Sequence, residues 1–434
     1  MNVHASAQGA TPVGASEVEA FLEQHPQVQY IDCVFADICG NVRGKRIARG
    51  ELKAVYSKGI AIPATIYFLD SRGDAAGQAG AVGTAWPVEG SLSTVSWSQR
   101  PHGQALMTLR DAKGDPYFGE PRNVLARVVE RFADMDVVPV VGATLEFYLL
   151  ERAKTPPQKP AELDVERRDD LVAAITEAAE AQHVTPFKVF AAGGRIALTL
   201  KAETSAIHAA DSAVFLRQIV RAVARQHDLD ATFMARPFPS AAGNSMRVAV
   251  GLQHPSGETL FDVASAEGTG VIRGAVAGMQ ALTGESIALF APNVNAYRRF
   301  TAEAGTPRNR RWGFANKTAN LSLPGHPDEP QWIEHRLAGA DANPYLVVAA
   351  ILAGVHHGIT QQLDPGAPFD GDAAKFVDET LPFNIDGALL ALENGSVMRE
   401  YLGPAYVDLY CATKRAELER FRAFIPPHEY DWYL

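Results

Sequence analysis

Apolar and polar positions along this chain change period several times, and each change marks an element. Over 28–34 the two alternate weakly, turns follow at Gly40 and Gly44, and 105–109 reads as another strand. These features predict a small, mostly β unit over 28–115, with a long Gly- and Ala-rich loop at 73–83. Beyond Gly119-Glu120-Pro121 the period lengthens. Val124, Leu125, Val128, Val129 and Phe132 recur at helical spacing and open a larger unit. Strands are predicted there over 137–150, 194–201, 245–253, 318–323 and 332–337, and helices over 171–182, 267–290 and 407–424. Asp211 is an N-cap candidate for a helix reaching 226. Asn343-Pro344 sets a cap and a first-turn proline ahead of a helix through His357. The pattern gives an α+β architecture: a frayed tail over 1–17, a small β domain over 18–118 and a larger catalytic-type domain over 119–434.

Composition narrows the class. Of 434 residues 47% are hydrophobic and 21% charged, as in globular proteins at large. No apolar run approaches the roughly 18–20 residues of a membrane span, so no membrane partner is expected. The N-terminal stretch lacks the basic start and apolar core of a signal peptide. Cys33, Cys39 and Cys411 form neither a metal-ligand spacing nor a disulfide framework, and a cytoplasmic location is expected. A formal net charge of −10 argues against a nucleic-acid partner, which would require a basic surface.

Four stretches carry a resemblance. They are Asp37-x-x-Gly40-x-x-Arg43-Gly44-Lys45, then Ala231-Thr-Phe-Met-Ala-Arg-Pro237, then Asn295-Ala-Tyr-Arg-Arg299-Phe with Trp312-Gly and Asn316-Lys-Thr, and last Ile333-Glu-His-Arg336 running on to Tyr345. In order and spacing the chain resembles the glutamine synthetase family, and within it the γ-glutamylpolyamine synthetase branch. The resemblance implies a β-grasp N-terminal domain and a larger domain whose antiparallel strands form a funnel. It also implies assembly into rings, usually dodecamers. The family's activity is ATP-driven: the γ-carboxylate of glutamate is phosphorylated and an amine attacks the acyl phosphate.

Phosphoryl transfer needs its charge neutralised, which hard divalent ions held by several carboxylates normally do. Residues i and i+2 of a strand share a face, so each funnel strand can be read for ligands. Where the family has Glu-x-Glu-Phe this chain has Thr144-Leu-Glu146-Phe147. Another family glutamate aligns with Ala197, and its companion with Val189 or Phe190. The metal-binding histidine aligns with Arg247 and a substrate-contacting histidine with Ala249, while Glu334 remains. Two of six expected ligands survive, so no metal site is expected. At the nucleotide positions, one family arginine is Lys317 beside Asn316 and another is Ser322; the proton-accepting glutamate aligns near Gly305.

The replacements add positive charge. Arg247 is expected to pair with Glu146 or Glu334, and Arg195 to project from the same face as Ala197. Arg299 matches the family's carboxylate-gripping arginine and Arg336 follows Glu334 on its strand face, with subunit contact as the alternative role for Arg336. Glu146, Glu334 and Arg247 are thus candidate catalytic residues, with Arg299, Arg195, Arg336, Lys317 and Asn316 as candidate ligand contacts. His335, and His356-His357 within a predicted helix, lack partners at metal spacing. The expected function is a family member that has lost ATP- and metal-dependent ligation and binds a small carboxylate or amino acid in an Arg-lined cleft. It would act as a repurposed enzyme without cofactor or as a non-catalytic ring member, homomeric or beside an active homologue. The alternative is an ATP- and Mg-dependent γ-glutamyl-amine ligase with displaced metal ligands, drawn from loops at Glu303 or Asp341.

Overall fold

The computed structural model describes residues 15–75, 82–152, 159–261, 270–301, 305–326 and 331–434. Most of the expected tail, the start of the helix expected at 267, part of the 73–83 loop and Glu303 lie outside the described residues. Residues 15–17 do not fray: the helix Ala15–Gln24 buries Val18 and Phe21 against the first sheet, and that burial holds it in place.

The first sheet contains β1 (Tyr30–Ala36), β2 (Val42–Ala48), β3 (Ile60–Pro63), β4 (Val82–Pro87), β5 (Ser93–Thr94) and β6 (Gly103–Arg110). Its order is β2-β1-β6-β4-β3, with β5 also on β6. The β1–β6 pair is parallel, and the other pairs run antiparallel. The β1–β2 turn explains its motif. Asp37 accepts from the backbone N–H groups of Cys39 and Asn41 and from Arg43 Nε. Gly40 takes φ +72°, and a Cβ there would press on the Arg217 guanidinium, so only glycine closes the turn without strain. Arg217 and Asn343 bond to carbonyls of this turn and tie it to the larger unit.

The second sheet contains β7 (Val138–Glu151), β8 (Pro186–Ala192), β9 (Arg195–Leu200), β10 (Leu229–Thr232), β11 (Met246–Gln253), β12 (Trp312–Phe314), β13 (Leu321–Leu323) and β14 (Ile333–His335). Its order is β12-β13-β14-β11-β7-β9-β8, with β10 on β7. All pairs are antiparallel except β12–β13. Period-two alternation divides it into two faces. Leu145, Phe147, Ile196, Leu198, Met246, Val248, Leu321 and Ile333 are buried in one core with the helices Ala206–Gln226, Gly270–Phe290 and Pro344–Thr360. The registers Thr144↔Arg247, Thr144↔Thr199, Glu146↔Ala197, Tyr148↔Arg195, Ala249↔Glu334 and Ser322↔Glu334 assemble the opposite, polar face.

Two helix starts differ from expectation. Ala206–Gln226 begins at a Ser205 cap, whose side chain accepts from the His208 N–H. Asp211 therefore lies inside the helix, buried, where it pairs with Arg122 and accepts from the Tyr345 hydroxyl. Those partners, not a helix terminus, satisfy its carboxylate. The helix expected at 171 begins at Val165 behind an Asp164 cap. Asn343 caps the helix Pro344–Thr360 as predicted. Among the described residues no helix is long and apolar enough to cross a membrane.

Candidate active site

The polar face of the second sheet gathers the strand-borne candidates. Glu146, in the middle of β7, is buried and accepts at Oε2 from the Ser245 N–H (2.8 Å), the Ser245 hydroxyl (2.7 Å) and Arg195 Nη1 (3.2 Å). Arg195 Nη1 also donates to the Gly243 carbonyl at 2.6 Å. Arg247, one strand over, lies between the two surviving glutamates. Its Nη2 is 3.8 Å from Glu146 Oε1 and its Nη1 is 3.9 Å from Glu334 Oε2. The expected ion pair forms with both carboxylates, not one. These separations are ion pairs and too long for hydrogen bonds. Arg336, one residue past the end of β14, closes a direct contact with the other oxygen of Glu334.

Three guanidiniums thus surround two carboxylates, and the cluster carries net positive charge. The side chains of Arg195, Arg247 and Arg336 remain 24%, 27% and 14% exposed, so solvent and a small anion have access to them.

The remaining candidates lie apart from this cluster in different ways. Arg299 is sealed: it is 0% exposed, donates from Nη1 to the Leu337 carbonyl, and leaves Nε and Nη2 without partners. Burial pulls its guanidinium down to about 10, against the attraction of Asp341 and Glu146. It is therefore sealed in the wall of the site and does not line the cleft as expected. Glycines make its berth, since a Cβ on Gly243 would come within 2.8 Å of Arg299 Cγ. Asn316 spends its amide on the Phe369 and Gly371 carbonyls and its oxygen on Thr318, so it ties loops together. Lys317 is exposed and keeps an ammonium at the surface. His335 is buried against Phe290, facing away from Glu334, and desolvation lowers it to about 3. His356 bonds the Tyr401 hydroxyl. Ser245 was not singled out from the sequence, although it supplies two of the donors to Glu146. Its only signal is a hydroxyl at the start of a strand.

A divalent ion such as Mg²⁺ seeks near-octahedral oxygen coordination at about 2.0–2.1 Å. Here Arg247 stands between the two carboxylates, and their cross-strand neighbours Ala197 and Ala249 offer methyl groups. Asp341 does not make up the deficit. It is half-buried beside Arg299 with Oδ2 held by Asn293, and desolvation raises its carboxyl. Among the described residues no three His, Cys, Asp or Glu side chains converge as a metal group. The side chains at this position do not fit the ion cluster that the resemblance implies, and no chemical step is assigned to a metal ion here.

Comparison with known proteins bears on the chemistry. The family described as "Glutamine synthetase, catalytic domain" matches residues 118–433. Gamma-glutamylputrescine synthetase PuuA of Escherichia coli (strain K12) is 35% identical, over 96% of this chain and 94% of that protein. Gamma-glutamylethanolamide synthetase GlnA4 of Streptomyces coelicolor is 27% identical, over 98% and 95%. Among solved structures, a GmaS/ADP complex superposes with TM-score 0.84 at 25% identity, over 96% of this chain and 98% of that one. GmaS without ligand gives 0.83 at 26%, over 94% and 97%. These relatives correct the expectation of a family member that has lost ligase chemistry, whether repurposed or non-catalytic. The similarity runs nearly end to end through proteins named as γ-glutamylputrescine and γ-glutamylethanolamide synthetases, and a structural neighbour is solved with ADP. They favour the alternative ligase reading.

Proposed function

Because the chain belongs to the glutamine synthetase family, we propose that it is an ATP-dependent γ-glutamyl-amine ligase, joining the side-chain carboxylate of glutamate to a primary amine. The observation that carries this reading is the 35% identity to a γ-glutamyl-amine synthetase through 96% of the chain. In this reaction a carboxylate oxygen of glutamate attacks the γ-phosphorus of ATP and ADP leaves. The amine nitrogen then attacks the acyl carbon, a proton is lost from nitrogen, and phosphate departs. Glutamate, ATP and the acyl phosphate are anionic, and the partly exposed guanidiniums of Arg195, Arg247 and Arg336 suit them. Arg336 is more open to a substrate carboxylate than the sealed Arg299. Lys317 meets nucleotide phosphate as a point charge. Glu146 is already saturated at Oε2 by three donors, so it orients Arg195 and Ser245 and is poorly placed to take the amine's proton.

The test is coupled ADP release with glutamate and a panel of mono-, di- and hydroxyalkyl amines, with the product mass read by mass spectrometry. Amine-dependent ADP release with the mass of a γ-glutamyl amide supports the reading. No ADP release with any amine, together with no thermal shift by nucleotide, sinks it. The assembly that goes with this function is a ring of copies of the chain, which light scattering measures directly.

A further inference from the structure

We propose that Arg247, with Arg195 beside it, is the built-in positive charge that faces the transferred phosphoryl group, standing where a divalent ion would otherwise be needed. The proposal rests on the ligase reading for its reaction, but its argument is the geometry of the polar sheet face. Phosphoryl transfer leaves the protein little covalent work; it must place positive charge against the γ-phosphate oxygens and keep the reacting oxygens in line. A guanidinium supplies such charge permanently and presents its donors in a planar fork that matches phosphate.

Three features fit Arg247 to that task. First, it is centred: its two terminal nitrogens stand 3.8 and 3.9 Å from carboxylates on different strands, whose charges hold it between them. Second, its donors are not spent. Neither separation closes a hydrogen bond, and its Nε is buried without a partner. By contrast, Arg195 donates to Glu146 and to the Gly243 carbonyl, and Arg336 is closed onto Glu334. Third, the surrounding face is cut down to receive an anion beside Arg247. Thr144 and Ala249 are small, and the Thr144 hydroxyl is shared with Thr199 at 2.9 Å. Arg195 occupies Glu146 Oε2, which leaves Oε1 to balance Arg247. The two glutamates then hold a charged side chain in position and do not coordinate an ion. Arg247 is a catalytic residue in this account, whereas Glu146 and Glu334 are positioning residues.

The test combines a count of bound ions with kinetics. Titration with Mn²⁺, read by the EPR signal of the free ion with and without ADP, should give the same count for the wild type, Glu146→Gln and Glu334→Gln. The double change Ala197→Glu with Arg247→His, which puts two ligands beside Glu146, should gain one ion per subunit. A wild-type ion lost in either glutamine variant overturns the proposal. In the ligation assay Arg247→Met should lower kcat by about 100-fold or more, the scale for removing a preorganised charge donor, with a much smaller change in the KM for glutamate. Arg247→Lys should restore part of that loss. An Arg247→Met enzyme with undiminished kcat also overturns it. If wild-type protein forms no amide, the ligase reading fails by itself. The ion count and inorganic phosphate binding, which Arg247→Met should weaken at least tenfold, still decide the role of Arg247. Should the methionine variant not fold, Arg247→Lys carries the same comparison, with a partial loss expected and an unchanged kcat and phosphate affinity overturning the proposal.

Discussion

Replacing Glu146 by glutamine should weaken the fold and strengthen anion binding together. Glutamine keeps an oxygen where Ser245 donates twice, at 2.8 and 2.7 Å, but the charge is gone. Hydrogen bonds to charged groups contribute about 1.5–3 kcal/mol against about 0.5–1.5 for neutral ones, so each of these bonds loses about 1 kcal/mol. Arg195 also loses its carboxylate partner, though it keeps the Gly243 carbonyl and 24% exposure, and solvent recovers most of that term. The expected destabilisation is about 2–3 kcal/mol. In the cleft, one negative charge a few ångströms from any anion bound by Arg247 disappears. At an effective dielectric near 20, a pair of unit charges about 6 Å apart interacts by about 3 kcal/mol. With the partial exposure of this site, screening leaves about 1 kcal/mol, or roughly fivefold tighter phosphate. Urea denaturation measures the first change and calorimetric titration with inorganic phosphate the second. General damage would lower both stability and affinity. A variant as stable as wild type, or one that binds phosphate more weakly, would refute the electrostatic account of the cluster.

Three further changes test neighbouring parts of the structure. Ser245→Ala removes one of the two donors from this residue to Glu146 and should cost about 1–2 kcal/mol in denaturant, since the backbone N–H still serves; no loss would mean the hydroxyl bond is not formed. Gly243→Ala places a methyl within 2.8 Å of both the Ala235 carbonyl and Arg299 Cγ, so overpacking of about 1–3 kcal/mol is expected, and a neutral effect would show that Arg299 is not held there. Glu120, buried at the junction of β6 and the helix Pro121–Glu130, has its carboxyl raised from 4.5 to about 7, chiefly by burial and against the hydrogen bond from the Leu109 N–H. The folded state thus holds this proton more tightly than the unfolded chain, and stability falls as pH rises from 4.5 to about 7, by roughly 3 kcal/mol in all. Glu120→Gln should remove that fall, so its stability relative to wild type should improve by about that amount between pH 4.5 and 8; a difference that does not vary with pH contradicts the burial argument.

Alternation made the polar sheet face legible in the sequence. A strand that reads Met246-Arg247-Val248-Ala249 puts its arginine and its alanine on one side and Met246 and Val248 on the other, and the register repeats that division at Glu146 and Glu334. The same logic failed wherever depth or hydrogen bonding decided the outcome. Asp211 has the chemistry of a cap, but Ser205 stands one and a half turns earlier at the helix start, and Arg122 and Tyr345 satisfy the aspartate inside the fold. Arg299 has the chemistry of a ligand contact, yet Gly243 and Gly339, far away in sequence, open the space that seals it. Asn316 was consumed by carbonyls of a loop more than fifty residues downstream. Function was the furthest from reach for a related reason. Missing ligands show which side chains no longer hold an ion, but a reaction requires positive charge at a place, and it is indifferent to whether a metal or a guanidinium supplies it. Counting lost carboxylates therefore pointed to lost chemistry. The spacing of Arg247 from two strands' glutamates describes instead a site whose charge has been built in, compatible with relatives named as γ-glutamylputrescine and γ-glutamylethanolamide synthetases.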